Sequence, residues 1–262
     1  MNPSTSILSR RPKPTFEGEE FEIGVHRGTG ETRWFRLGTI AGEWAAINRS
    51  RIDLAPIRNS RLRALMSGKA VMVCGTAPQL LKVDLAAAKR AGAIIIGVNG
   101  APLAVDPMLF DVLLSMHHQH DSLDRWKWNE AKGAILVTQS DPGYGDDRYM
   151  EFQSISHKFS ETMPFLIAGG TSVLSAVNLA YIGNARAIWL AGVQMHGPHA
   201  YQDVQPGYDY GTGRNGFFQI AAAALKSKKI GFWQTTRDSH VKLPIKAYPG
   251  KKSFWNLVSR AT

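Results

Sequence analysis

The sequence predicts an α/β protein: a Rossmann-like, mostly parallel sheet with helices on both faces, preceded by an N-terminal β-hairpin extension. From Lys69 onward, short apolar runs alternate with helical segments, which is typical of a parallel sheet. The runs lack polar alternation, as expected for strands covered on both faces. With 262 residues, of which 44% are hydrophobic and 20% charged, the chain can bury such a core.

The first 67 residues are predicted to lie outside this sheet. Residues 1–15 form a polar, basic, Pro-bearing flexible arm. Residues 16–67 hold the hairpin, a linker with Pro56 and a short helix over Arg58–Met66, and residues 68–262 form the Rossmann-like domain. The hairpin is predicted from apolar residues that alternate on either side of the turn at 26–31: Phe21, Ile23, Val25, Trp34, Phe35 and Leu37.

Seven strands and three helices are predicted in the α/β part. The strands are the apolar runs Ala70–Cys74, Ala93–Val98, Phe110–Met116, Ala134–Thr138, Phe165–Ala168, Ala187–Ala191 and Ile230–Gln234. The helices are Pro78–Arg90, Val173–Ile182 and Phe217–Lys228. Because ligands bind beyond the carboxyl ends of the strands in such sheets, residues that follow the strands are the candidate site residues.

Two strand ends carry short polar turns. Gly75 allows close backbone approach, and Thr76 is placed to cap the next helix, whose free N–H groups favour an anion. The complete G-x-G-x-x-G and the Walker lysine are missing, so a plain strand-to-helix turn is the alternative. Asn99 offers a donor and an acceptor to a ribose or base, and an ordinary Asn-Gly turn is the alternative there.

Three histidines, His117, His118 and His120, follow the third strand. Such a group invites a metal hypothesis, yet the sequence shows no partner motif of Asp, Glu or His elsewhere. We therefore predict no metal and treat His117 as a candidate ligand-binding residue, with an ordinary polar loop as the alternative.

The strongest motif is Gly169-Gly170-Thr171-Ser172, which places two glycines and two hydroxyls at the start of a helix. Such a helix terminus presents N–H donors to a phosphate. The sixth strand is followed by a long loop, Gly197–Arg214, of the length and composition of a lid or binding loop. Its tyrosine hydroxyls and its arginine suit phosphate oxygens.

Composition limits the partners. The net charge of +10 suits a phosphorylated small molecule, and residues 1–67 could dock to a partner or form a homo-oligomer. Nucleic acid is disfavoured because the sequence has no block of five or six like charges and no Arg–aromatic repeat of the RNA-binding kind. One cysteine excludes a disulfide framework. No apolar run reaches the ~20 residues of a membrane span, and no signal peptide is visible, so a cytoplasmic location is expected.

The order of these motifs resembles one superfamily, over roughly residues 68–250. It contains the bacterial sialyltransferases that use CMP-sialic acid, the motility-accessory-factor glycosyltransferases and the 6-hydroxymethylpterin diphosphokinase-like proteins. The shared features are Gly75-x-x-Pro78, Val98-Asn99, Thr171-Ser172 and the strand Ala-Ile-Trp-Leu-Ala-Gly-Val at 187–193. The resemblance implies metal-independent transfer from a nucleotide-sugar substrate, with no cofactor. Nucleotide binding is then expected of Gly75, Thr76, Asn99, His117, Thr171, Ser172, Gln194 and Arg214, and catalysis of His196, His199 and Tyr201.

Two departures from the family keep alternatives open. Gln194 stands where the family has Asp, and Thr212 stands at the position of the sialyltransferase base histidine. Because a neutral Thr cannot accept the proton near pH 7, a loop histidine would have to act as the base. A non-catalytic, phage-associated binding or structural protein is one alternative. An ATP-dependent pterin-type diphosphokinase, with Asp203 and Asp209 near its metal, is the other.

Overall fold

A computed structural model describes residues 21–26, 32–36, 44–46, 54–117, 122–139, 148–155, 159–201, 208–209, 211–236, 241–246 and 248. For those of them that lie within 21–57 and 208–213, and for residue 196, it gives the backbone alone. The chain divides into two compact units, Met1–Arg58 and Asn59–Thr262. The predicted arm over residues 1–15 lies outside the described residues, and the predicted domain boundaries stay predictions.

The first unit contains a three-stranded antiparallel sheet in the order β2-β1-β3. Its strands are β1 (Phe21–His26), β2 (Thr32–Arg36) and β3 (Trp44–Ala46). Ile23 lies opposite Trp34, as the predicted hairpin requires. The third strand was not predicted, since three residues give no recognisable alternation.

The second unit is built around an eight-stranded sheet in which all neighbouring strands are parallel, which confirms the predicted fold class. In chain order its strands are β4 (Ala70–Cys74), β5 (Ile94–Val98), β6 (Val112–Ser115), β7 (Ile135–Gln139), β8 (Tyr149–Ile155), β9 (Phe165–Ile167), β10 (Ala187–Ala191) and β13 (Gly231–Gln234). A separate antiparallel pair is formed by β11 (His196–Gly197) and β12 (Tyr208–Asp209). The helices are α1 (Leu54–Met66), α2 (Leu85–Arg90), α3 (Ala101–Ala104), α4 (Ser172–Ile182) and α5 (Gly211–Ser227).

The strand order, β13-β10-β4-β5-β6-β7-β8-β9, determines where a ligand can bind. The chain adds strands outward from β4 to β9 and then returns to the other side of β4 with β10. Connections on the two sides of β4 therefore leave in opposite directions and open a crevice at the carboxyl ends of β4 and β10. The candidate functional site lies at this edge.

The hydrophobic core has one layer on each face of the sheet. Helix α4 is buried on all sides, as its almost wholly apolar sequence predicts. Its Asn178 is completely buried and makes three hydrogen bonds: Oδ1 accepts from the backbone N–H groups of Ser160 and Ile167, and Nδ2 donates to the Ser160 carbonyl. A buried amide satisfied in this way holds the helix against the strand that leads into the site.

The structure differs from the prediction at several points. Helix α1 begins at Leu54, four residues before the predicted Arg58, so Pro56 lies in the helix and not in a linker. The single helix over Pro78–Arg90 is wrong: a 3₁₀ turn at Pro78–Lys82 precedes α2, because Asp84 caps α2 by accepting from the Ala87 N–H. Helix α5 begins at Gly211, six residues before the predicted start, which shortens the predicted long loop. Strand β8 was missed because Met150 and Phe152 alternate with half-exposed residues instead of forming an apolar run.

No helix among the described residues is long and apolar enough to cross a membrane.

Candidate functional site

A cavity of about 680 Å³ opens at the carboxyl ends of β4, β5, β6 and β10 and at the first turn of α4. Every site residue predicted from the sequence lines it except His196, whose backbone lies in β11 and whose side chain is outside the described part of the chain. The lining consists of Gly75, Thr76, Val98, Asn99, Met116, His117, Arg125, Trp126, Gly170, Thr171, Ser172, Val173, Gly192, Val193, Gln194, Met195, His199, Tyr201 and Arg214.

The floor of the cavity is where β4 and β10 end. The Gly75 N–H donates to the Ala191 carbonyl at 2.8 Å, and a Cβ at Gly75 would lie 2.5 Å from the carbonyl oxygen of Gly192. Gly75 is therefore required for the close approach of a neighbouring strand, in addition to any approach of a ligand. Cys74, the last residue of β4, is completely buried, and burial raises the pKa of its thiol far above the ordinary value, so it stays protonated.

Thr76 does not cap the following helix, contrary to the prediction: Ala77 is at the N-cap, and no side chain caps that helix. The Thr76 hydroxyl instead lies 2.6 Å from Nδ1 of His199, and the Thr76 carbonyl accepts from the Ala200 N–H at 2.6 Å. One residue thus holds the loop after β11 by both its side chain and its backbone. Burial lowers the pKa of His199 below 6.5, so its imidazole is neutral near pH 7.

Tyr201 closes the same side of the cavity. Its ring lies parallel to that of His199, with the centroids 5.2 Å apart and the planes at 2°. It also contacts the start of α3, since a Cβ at Gly100 would lie 2.9 Å from the phenol ring. Burial raises the pKa of the Tyr201 phenol, with the charge of Arg125 opposing that effect, so the hydroxyl is a donor near neutral pH.

The first turn of α4 supplies the predicted hydroxyls, and each already has an acceptor role. Thr171 is the N-cap and accepts from the Val173 N–H at 3.2 Å, while Ser172 accepts from the Met116 N–H at 3.1 Å. Ser172 therefore joins α4 to the end of β6. Since each hydroxyl accepts these bonds, its own proton can be donated to a ligand.

Arg214 lies beside this helix start. A Cβ at Gly170 would be 3.2 Å from its guanidinium group, and Gly170 has a φ of +73°. A glycine is needed here both for the left-handed backbone and for the space that the guanidinium takes. The first turn of α4 and Arg214 together form a positive region at one wall of the cavity.

Two lining residues with polar or aromatic side chains, Arg125 and Trp126, were missed by the sequence reasoning. The ring of Trp126 meets that of His117 edge to face at 5.3 Å, and Arg125 Cζ lies 5.4 Å from the Trp126 ring centroid. They lie in an irregular segment between β6 and β7, where no strand end or glycine pair marks a site. The available signal was the basic–aromatic run Arg-Trp-Lys-Trp at 125–128.

Gln194 lines the cavity at the position where the resembling family has Asp. Among the described lining residues there are two arginines and no Asp or Glu. Within the described part of the chain, no three His, Cys, Asp or Glu residues are grouped so that they could hold a metal ion. His118, His120 and Asp203 are outside the description, as are the side chains of Asp209 and Thr212.

Neither a scan against protein-family models nor a search of the curated proteins returned a match for this chain. The resemblance to the sialyltransferase superfamily therefore stays a prediction from motif order.

Proposed function

We propose that this protein is a nucleotide-sugar-dependent glycosyltransferase that binds a CMP-type sugar donor in the edge cavity and transfers the sugar to an acceptor hydroxyl. The observation that carries the proposal is the convergence of cationic, hydroxyl and aromatic side chains with a neutral histidine in one cavity at the sheet's switch point. Its volume is in the range of small-molecule sites.

Binding of a phosphate is supported at the first turn of α4. The positive end of the α4 dipole and the Arg214 guanidinium lie side by side there, and an arginine can donate two parallel hydrogen bonds to phosphate oxygens. Ser172 and Thr171 can add hydroxyl donors. Arg125 supplies a second positive charge, from the segment between β6 and β7.

Binding of a planar base is supported by the aromatic side chains. Trp126 and His117 form one aromatic pair, and Tyr201 and His199 form another. Flat faces of this kind stack on any nucleobase, so base selection has to come from polar groups such as Asn99.

The transfer step requires a base and a stabilised leaving group. In the proposed reaction the acceptor oxygen forms a new bond to the anomeric carbon, and the bond from that carbon to the phosphate oxygen breaks. His199 takes the acceptor proton, while the electron pair of the broken bond leaves with CMP. Arg214 and the Tyr201 hydroxyl would stabilise the charge on the departing phosphate.

Thr76 would prepare His199 for this role. When Nδ1–H donates to the Thr76 oxygen, the proton is held on Nδ1, and Nε2 has the lone pair that a general base needs. A lowered pKa then keeps the imidazole unprotonated at neutral pH.

Isothermal titration with CMP, UDP and GDP, followed by an assay of CMP release from CMP-sialic acid with water as acceptor, tests the proposal. We expect CMP to bind with a Kd below about 1 mM and the release of CMP to depend on His199. If none of the three nucleotides binds at millimolar concentration, the proposal is wrong. Binding of CMP without any release of CMP would favour the non-catalytic alternative.

A further inference from the structure

We infer that Ser115 is a positioning residue: it fixes the carboxamide of Asn99 so that the cavity offers a hydrogen-bond donor, and not an acceptor, at this point. The ligand group recognised there is therefore an acceptor atom, such as a carbonyl oxygen, a ring nitrogen or a ribose oxygen. This inference rests on the proposed function only for the identity of the ligand.

Ser115 is the last residue of β6 and is completely buried. Its hydroxyl accepts a hydrogen bond from the His117 N–H at 3.0 Å and donates one to Asn99 Oδ1 at 2.9 Å. The N–H of His117 can only donate, so it occupies an acceptor lone pair of the hydroxyl, and the hydroxyl proton is the one that lies between Ser115 Oγ and Asn99 Oδ1. An oxygen that receives this proton has to be the carbonyl of the carboxamide, which places the NH₂ group on the other side.

The backbone of Asn99 is held as firmly as its side chain. Its N–H donates to the Leu114 carbonyl at 3.0 Å, and its own carbonyl accepts from Nε1 of Trp128 at 3.0 Å. Its φ of +51° is in the left-handed region, which Asn tolerates better than most residues. With the backbone and Oδ1 engaged, the Nδ2 group is the part of Asn99 with donors to offer to the cavity that it lines.

The sequence alone does not tell whether Asn99 offers a hydrogen-bond donor or an acceptor to the ligand. An asparagine can offer either a donor or an acceptor, and here Ser115, sixteen residues away, decides between them. An Asp at position 99 would still accept from Ser115 with one oxygen. It would present the other, negatively charged oxygen to the ligand, reversing the recognition.

The test is a double-mutant cycle read by isothermal titration with CMP. We expect S115A and N99A each to weaken CMP binding by about threefold to tenfold, and the double variant to bind no more weakly than N99A alone. N99D should bind CMP more weakly than N99A, because it adds a negative charge. If S115A weakens binding by the same factor in the N99A background, Ser115 does not act through Asn99 and the inference is wrong.

A matched control separates positioning from folding. Ser175 in α4 is also completely buried and donates its hydroxyl to a backbone carbonyl, that of Ile167, at 2.9 Å. S175A should destabilise the protein about as much as S115A while leaving the affinity for CMP unchanged. Loss of CMP binding in S175A equal to that in S115A would contradict a specific role for Ser115.

Two further measurements keep this inference separate from the proposed function. The side-chain amide resonances of Asn99, followed by NMR without any ligand, should shift in S115A and stay in place in S175A. Unchanged resonances in S115A would overturn the inference even if CMP binds.

Titration with ribose 5-phosphate shows which part of CMP carries the acceptor atom. N99A should weaken the binding of ribose 5-phosphate if the acceptor is on the ribose phosphate, and leave it unchanged if the acceptor is on the base. Failure of CMP to bind the wild type would contradict the proposed function, and the NMR result would still decide the role of Ser115.

Discussion

The two ends of α4 each carry a polar cluster, and the clusters are built in opposite ways. At the first turn, Thr171, Ser172 and Arg214 line the cavity. At the last turn, Tyr181 lies with Glu161 and Lys228 around a smaller pocket of about 280 Å³ at the amino edge of the sheet. Each cluster combines residues at one end of α4 with a cation from another segment, Arg214 in α5 or Lys228 directly after α5.

In the cluster at the last turn the charges are paired with each other. Glu161 accepts from both the Tyr181 hydroxyl and Lys228, and the Lys228 ammonium also lies 4.1 Å from the centroid of the Tyr181 ring. Burial alone would raise the pKa of Glu161, but the bonds from Lys228 and Tyr181 and the charges of Lys228 and Arg63 hold it below 4.5. This cluster joins segments of the chain and has no need of a ligand.

The described residues that line the cavity include two arginines, Arg125 and Arg214, and no Asp or Glu. The Thr171 and Ser172 hydroxyls and the Asn99 carboxamide oxygen accept hydrogen bonds from the protein, so the donors of these groups can be offered to a ligand. We conclude that a paired cluster stabilises the fold, whereas a fixed set of donors and cations is what an anionic ligand requires. Four predictions test this contrast.

The largest effect is expected from removal of the proposed base. H199N should lower kcat/KM for CMP release from CMP-sialic acid by about 10²- to 10⁴-fold, because it removes general-base catalysis. Since burial lowers the pKa of His199, the wild-type rate should be constant at neutral pH and fall only below pH 6.5, as the imidazole is protonated. Y181F, at the other end of α4, should keep the full rate; a rate for H199N equal to that of the wild type would refute the proposed role.

The next largest effect is expected when a cation is removed from the cavity, and the matched change removes a cation from the cluster at the other end of α4. R214Q should weaken CMP binding by about 10- to 100-fold, which is the cost of losing hydrogen bonds to a charged phosphate. K228Q removes a cation that is paired with Glu161, and it should leave the Kd for CMP unchanged. Titration of both variants at the same ionic strength makes the comparison, and equal losses would mean that only global charge matters.

A smaller effect is expected from the glycine that gives Arg214 its space. G170A should cost about 1–2 kcal/mol of stability because of the left-handed backbone, and it should also reduce CMP affinity by displacing the guanidinium. Gly133 has a similar φ of +82°, and a Cβ added to it would have no neighbouring atom within 4 Å, so G133A should show the stability loss alone. Urea unfolding and CMP titration of both variants separate the two effects.

The smallest effect concerns the paired cluster. E161Q should reduce the free energy of unfolding at pH 7 by less than about 1 kcal/mol, because the Glu161 side chain is 63% exposed. A carboxylate whose pKa is lowered on folding stabilises the protein above its ordinary pKa of 4.5, and that stabilisation is lost as the pH falls through the lowered value. The difference between wild type and E161Q should therefore shrink between pH 7 and about pH 3 in urea unfolding; a difference that grows would contradict the pairing.

Local patterns in the sequence were enough for the strands and for most of the cavity lining. Apolar runs predicted seven of the strands of the parallel sheet, and the rule that ligands bind beyond strand ends led to Gly75, Asn99 and Ser172. Strand β8 escaped because it is not itself an apolar run, and the Arg125–Trp126 segment escaped because no strand end or glycine pair lies directly before it.

The amino-acid sequence by itself determined the fold class and which turns meet at the carboxyl edge of the sheet. The spacing of apolar residues and the residue types in turns, from which both were predicted, depend only on residues close together in the chain. Only the tertiary structure decided the partners of the side chains. Thr76 bonds to His199, 123 residues away, instead of capping a helix, and Ser115 makes Asn99 a donor. Such pairs depend on which strands become neighbours, and that order is settled when the whole core is buried, since long-range packing and not local preference chooses among the possible partners.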